Sequence, residues 1–226
     1  MKVKNVGQVL FFCFLLIPFF EPTYVSYNLN MIHKIYICWQ IINAIIALIV
    51  YLKNNKLSKW LFLLIMYELI IVMTTFINNA EISLAITDAI KLIAICGIIE
   101  YGLKSDAKSI VVALLIILLS LITLNLITIL VYPEGMYKNE ISTMRNNWLL
   151  GNDNVHIRFF LPTIIISIIY YYITGKNKKT ITIFTILICT ISVFIRFSAT
   201  TVVGYVLFIA YLLFFRFLKN NKIFNF

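Results

Sequence analysis

Apolar residues fall in long, nearly unbroken runs along this chain, at about 6–25, 33–52, 60–77, 84–103, 110–132, 159–174, 181–196 and 201–218. Ile, Leu and Phe fill each run without breaks at strand length, and Gly and Pro are scarce. A transmembrane β-barrel would instead alternate in polarity over segments of roughly ten residues. A membrane-crossing helix needs about 20 predominantly apolar residues, and these runs approach or reach that length. The pattern predicts an all-α fold: one polytopic integral-membrane bundle of about eight transmembrane helices spanning residues 1–226.

Composition narrows the class further. The chain has 226 residues, of which 62% are hydrophobic and 12% charged. A soluble domain carries about 45–50% apolar and about 25% charged residues. There are too few charges to coat a water-facing surface and no space for a separate soluble catalytic domain. Disorder, a cysteine scaffold and a cytosolic enzyme are excluded. Cys13, Cys38, Cys96 and Cys189 all lie within apolar runs without CxxC spacing, so they read as small buried hydrophobes.

The net charge of +10 changes the picture from helices to orientation. With the N-terminus cytoplasmic, thirteen of the 19 basic residues fall in inner loops: Lys2, Lys4, Lys53, Lys56, Lys59, Lys104, Lys108, Lys176, Lys178, Lys179, Arg216, Lys219 and Lys222. Five fall outside, namely Lys34, Lys138, Arg145, Arg158 and Arg196, and Lys91 lies inside a span. Retention of cationic loops produces this bias, so both termini are expected to be cytoplasmic. The excess therefore reports topology rather than nucleic-acid binding. The basic start, Met1-Lys-Val-Lys-Asn, leads into an apolar run that ends Phe19-Phe20-Glu21-Pro22 without a small-residue cleavage site, so the first run is expected to be a retained span.

One outer loop is long and polar. It covers 133–158, 26 residues, and contains Trp148-Leu149-Leu150, a patch that would seek a membrane surface or a cleft. Three of the four arginines, Arg145, Arg158 and Arg196, are expected on this outer face, where topology does not explain them. Guanidinium forks bind phosphate oxygens at two points, so together they suit a lipid-linked diphosphate; singly, Arg158 and Arg196 also fit snorkelling at span ends. Asp153 and His156 are candidate general bases for a sugar hydroxyl, while Asn152, Asp153 and Asn154 equally suit capping of the next helix. No histidine has a metal-ligand companion, and neither a metal nor a cofactor is expected.

Within the membrane, Glu68, Asp88 and Lys91 are the ionisable residues that need a reason to be there. Glu68 and Lys91 reach similar depth on two helices joined by an outer hairpin, so an ion pair between them is expected, with a proton or ion path as the functional reading. Asp88 stands one turn above Lys91. The last outer turn, Arg196-Phe197-Ser198-Ala199-Thr200-Thr201, offers hydroxyls to cap the eighth helix, and Gly204 permits close helix approach. Nucleotide-binding, serine-hydrolase and zinc-protease signatures are absent from the sequence.

Two of these segments carry a resemblance. Trp148-Leu149-Leu150-Gly151-Asn152-Asp153-Asn154 leads into a span starting Arg158-Phe159-Phe160-Leu161-Pro162, and the turn Arg196–Thr201 precedes a span containing Gly204. Over about 110–218 the chain resembles the O-antigen and capsular polysaccharide polymerases (Wzy type) and the related O-antigen ligases. The resemblance implies a plasma-membrane glycosyltransferase that joins undecaprenyl-diphosphate-linked oligosaccharides on the outer face. It implies diphosphate binding by Arg158 and Arg196, with Arg145 beside them. It also implies work beside flippase and chain-length regulator proteins, with no nucleic acid. The family has more spans and a second, larger outer loop, so a short or truncated member is expected. The alternative is a small transporter or flippase subunit built on Glu68, Asp88 and Lys91, or a non-enzymatic partner of a polysaccharide export complex.

Overall fold

The computed structural model of the chain describes residues 6–54, 58–139, 142–174 and 179–220, without the side chains of 52, 54, 139, 142–145 and 215–220. Lys2, Lys4, Lys56, Lys176, Lys178 and Lys222 of the inner basic set lie outside the described residues. The described residues are all-α, 85% helical, and include four helices long and apolar enough to cross a membrane. The helices are α1 (Val6–Leu16), α2 (Thr23–Asn28), α3 (Asn30–Asn54), α4 (Lys59–Ile77), α5 (Ile82–Val131), α6 (Ile157–Thr174), α7 (Lys179–Ile195) and α8 (Ala199–Asn220). The chain divides into two compact units, residues 1–21 with 29–114, and 22–28 with 115–226.

In the first unit, proline chemistry sets the contact of α1 with α3. Pro18 has no N–H, so the Phe14 carbonyl loses its helical donor; Pro22 removes the donor of Pro18 in the same way. Two buried amides on α3, one turn apart, supply the missing donors. Asn43 Nδ2 donates to the carbonyls of Phe14 (2.9 Å) and Leu15 (3.1 Å), and Gln40 Nε2 donates to Pro18 (2.6 Å). The first apolar run is accordingly not one helix: α1 gives way to a 3-10 turn at Ile17–Phe20 and then to α2.

At the opposite end of α3 a single carboxylate ties three helices. Ser58 caps α4 by accepting from Leu61 N (3.1 Å) and donates its hydroxyl to Glu100 Oε2 (2.6 Å). Tyr51 donates to Glu100 Oε1 (3.3 Å) while accepting from Ser58 N (3.0 Å), and Lys104 Nζ lies 2.5 Å from Glu100 Oε1.

The 50 residues of α5 would run about 75 Å if straight, against about 30 Å of hydrocarbon. They do not run straight, because Asp106 leaves the helical region (φ −153°, ψ 84°). Its carboxylate accepts from the N–H groups of Lys108 and Ser109 (both 3.2 Å) and from the Ser109 hydroxyl (2.6 Å). That is an N-cap for a new helix, and the Ser109 hydroxyl above all holds the Asp106 carboxyl below its usual range. A Cβ on Gly102 would stand 2.7 Å from Ile110 Cγ1, although residues eight apart on a straight helix are separated by about 12 Å. The chain bends sharply at Asp106, and the apolar runs 84–103 and 110–132 lie on the two limbs of α5 either side of it.

The second unit packs α6, α7 and α8 around Phe160, Ile164, Ile188, Val193 and Tyr205, with Ile122 from the second limb of α5. Tyr205 shares a 2.7 Å hydrogen bond with Thr190 across α7 and α8, and Thr182 donates to the Ser167 carbonyl (3.0 Å) between α7 and α6. Segment 133–158 departs from a plain loop. It forms three antiparallel strands in the order β1 (Tyr137–Asn139), β2 (Ser142–Trp148), β3 (Gly151–Asn152).

Gly102→Ala tests the bend. Alanine normally stabilises a helix relative to glycine, but overpacking against the Ile110 side chain should reverse the sign, for a net loss of about 1–2 kcal/mol. Thermal unfolding in detergent measures it, and a gain in stability would show that the limbs are not pressed together there.

Candidate functional site

The sheet is anchored from below by one amide. Asn125, fully buried in the second limb of α5, accepts from the Leu150 N–H through Oδ1 at 3.0 Å. Its Nδ2 lies 3.4 Å from His156 Nε2, which also stands 3.2 Å from the Gly151 carbonyl. With Oδ1 committed to Leu150, the Asn125 amide is fixed in orientation; a neutral His156 either donates Nε2–H to the Gly151 carbonyl or accepts from Asn125 Nδ2 at that nitrogen, not both. Leu149 and Leu150 form the two-residue turn between β2 and β3, where Trp148 pairs with Gly151 (φ +101°). Glycine takes that backbone conformation without the Cβ clash other residues meet. From the other side α2 holds the same turn: Tyr24 N donates to the Leu149 carbonyl (3.0 Å) and the Thr23 hydroxyl to that of Leu150 (3.1 Å).

Trp148 is 2% exposed and donates its indole N–H to the Tyr132 carbonyl at the end of α5 (2.8 Å). The guanidinium of Arg196 lies over the Trp148 ring, 4.3 Å from its centre, and Nη2 donates to the Pro133 carbonyl. Cation–π contact and hydrogen bond together hold a charged side chain in place. Arg196 Nε is buried without a partner among the described residues. The Ser/Thr turn locks to the loop on its far side. Ser198 donates to Asn154 Oδ1 rather than capping α8 from its own hydroxyl, and Thr201 donates to the Asp153 carbonyl (2.6 Å). Gly204 lets α8 close on the start of α6: a Cβ there would meet Ile157 Cδ1 at 2.5 Å.

These constraints enclose an open pocket of about 520 Å³ at the loop end of the helices, six of whose ten lining residues are polar: Asn146, Asp153, Asn154, Arg196, Ser198 and Thr200. A lining of that kind suits a polar ligand and would expel a hydrocarbon tail. Arg196 and Asp153 provide one fixed cation and one carboxylate.

The other candidates are placed differently. His156 is 1% exposed, with its ring between Trp148 and Phe160, and does not line the pocket. Burial pushes its pKa down to about 4, opposed by the Gly151 carbonyl and Asp153. A neutral, enclosed imidazole supports the loop, and Asp153 is the carboxylate that lines the pocket. Arg158 is exposed and outside the pocket. Arg145 lies on β2, but its side chain is outside the described atoms. Glu68 is buried on α4, Lys91 is half-buried and Asp88 is exposed on α5. The expected Glu68–Lys91 ion pair does not form; Lys104 pairs with Glu100, and His33 lies 2.9 Å from Glu21. Equal depth along a hairpin does not fix rotation about each helix axis. No group of three or more metal-ligating side chains occurs among the described residues. Sequence reasoning missed Asn125, although a lone amide in an apolar run is itself the signal.

Replacing Asn125 by Leu should cost about 1–3 kcal/mol by orphaning the Leu150 N–H, with hydrogen exchange at Leu150 accelerated first. His156 gives a pH dependence of definite sign. Its folded pKa, about 4, lies below the ordinary 6.5, so the unfolded chain takes up a proton that the folded loop refuses. Stability is full above pH 6.5 and falls as pH drops toward 4, by up to about 3 kcal/mol. Melting curves across that range should show the loss, and His156→Asn should flatten it.

No protein-family model, curated protein or solved structure matches this chain.

Proposed function

We propose that the protein is a polysaccharide repeat-unit polymerase. It would be a multi-pass glycosyltransferase of the plasma membrane that joins undecaprenyl-diphosphate-linked oligosaccharides on the outer face. In this reading there are eight spans: α1 with its 3-10 extension, α3, α4, the two limbs of α5, α6, α7 and α8. Both termini are cytoplasmic, and the sheet, α2 and the Arg196 turn face outward. Flippase and chain-length regulator proteins are the expected neighbours.

The observation that carries the reading is the polar pocket in which Arg196, immobilised on Trp148, shares a wall with Asp153. A fixed guanidinium suits the charge that develops on a departing diphosphate, because it needs no reorganisation as the bond breaks. In the proposed step the acceptor hydroxyl oxygen attacks the anomeric carbon of the donor sugar. The bond from that carbon to the diphosphate oxygen breaks, and the electron pair leaves with undecaprenyl diphosphate beside Arg196. Asp153 takes the hydroxyl proton. Arg158, exposed at the start of α6, is assigned to the approach of the lipid-linked donor, and Arg145 on β2 to the same outer face.

A second reading, a small transporter or flippase subunit, rests on Glu68, which is buried on α4 with no ion-pair partner among the described residues. The two readings separate on mutation. Arg196→Ala should lower polymer formation roughly 100-fold, read as loss of long chains while single lipid-linked units persist and the protein inserts at its normal level. Arg196→Lys should fail nearly as badly, since a lysine keeps the charge but not the planar fork. Normal chain lengths in Arg196→Ala with lost activity in Glu68→Gln would transfer the function to the transport reading.

A further inference from the structure

A second cavity lies wholly within the first unit. It measures about 230 Å³ and is lined by Ala44 and Ala47 of α3, Leu61 and Ile65 of α4, and Ala94 and Gly97 of α5, with larger aliphatic side chains between them. Gly97 is buried, yet a Cβ built on it meets nothing within 4 Å, so the space beside its backbone is empty. Tyr51 brings the one polar group to this lining, and its hydroxyl is already engaged with Glu100 and Ser58. Apolar cavities of this order stay dry and take up apolar guests. Three helices wall it, so a fourth helix, about 10 Å across, cannot enter, whereas a single hydrocarbon chain can.

The head of that occupant follows from the polar end. At Leu61 the cavity meets a wide crevice lined by Ser58, Trp60, Glu100 and Lys104, and the Tyr51 hydroxyl reaches Ser58 and Glu100 from the cavity side. Trp60 is 83% exposed, as for an indole at a membrane–water interface. Four lysines stand at the helix ends around it, Lys53 in the last turn of α3, Lys59 at the start of α4, and Lys104 and Lys108 on either side of the Asp106 break, against the carboxylates Glu100 and Asp106. Glu100 is bonded to Lys104, and Asp106 is spent on capping the second limb of α5. Lys53 and Lys59 are exposed. Basic rims between transmembrane helices are places where anionic lipid headgroups settle.

We infer that the first unit binds one anionic phospholipid, its acyl chain seated between α3, α4 and α5 beside Gly97 and its headgroup on the lysine rim at Lys53, Lys59 and Lys104. This site is independent of the sheet pocket and of the reaction proposed there. It requires only that the first unit lie in a bilayer.

The full-length protein in nanodiscs of equal phosphatidylcholine and phosphatidylglycerol with matched acyl chains, released gently for native mass spectrometry, tests this. The expected result is one retained phosphatidylglycerol, preferred over phosphatidylcholine roughly tenfold. Gly97→Leu, which fills the cavity, should abolish retention of both lipids. Lys53→Gln with Lys59→Gln should leave retention but bring the two lipids near parity. Where Gly97→Leu does not insert, Ala47→Leu reads the same quantity. The inference is overturned if the unaltered chain retains no lipid, if it holds the two lipids equally, or if the cavity-filling variants retain phosphatidylglycerol unchanged. A lipid-free dimer would assign the crevice to a second copy and likewise overturn it.

Discussion

The hydrogen bond from the Leu150 N–H to the Asn125 side chain is the interaction on which the second unit depends. A two-residue turn points one N–H downward into a helical, apolar environment where no water can reach it. An unpaired amide there costs several kcal/mol. Asn125 accepts that bond, and in doing so it fixes its own amide against His156 and the level at which Trp148 lies. Arg196 then rests on Trp148. The geometry of the one cation in the pocket is thus inherited, contact by contact, from a neutral side chain that never touches the pocket.

The first unit meets the same constraint with different residues. Pro18 and Pro22 strip donors from the end of α1, and Gln40 and Asn43 replace them from α3. In both units a buried carboxamide does work that a hydroxyl could not. It carries a donor and an acceptor at the end of a reach long enough to cross between elements, and it does so without the desolvation cost of a charge. The amides Asn43, Gln40 and Asn125 within the apolar runs are therefore structural joints.

Much of the helical framework is legible in the sequence, because the absence of water leaves apolar runs with one local solution. The break at Asp106 is legible too, in Lys104-Ser105-Asp106 followed by Ser109, a polar gap that ends in a capping pair. The sheet is not. Ser142–Trp148 is a polar stretch whose sequence does not alternate apolar with polar residues, and what makes it a strand is pairing to Tyr137–Asn139 and to Gly151–Asn152. The candidate site divides in the same way. Residue type marks Arg196 and Asp153, but only packing separates the enclosed His156 from the accessible Asp153, and only helix rotation separates Glu68 from Lys91.

Thr23 and Leu150 are 127 residues apart in the chain, and their bond has a temporal meaning. As the chain emerges, α2 is made long before the turn it will hold, and three more helices must be threaded before its partners exist. Contacts of such separation form late, because the loop-closure entropy comes due before the contact returns anything. Until then the Thr23 hydroxyl and the Tyr24 N–H wait for the two carbonyls they will bond. The pocket is consequently among the last parts of the molecule to mature, and a chain stalled part-way through synthesis holds helices but no site.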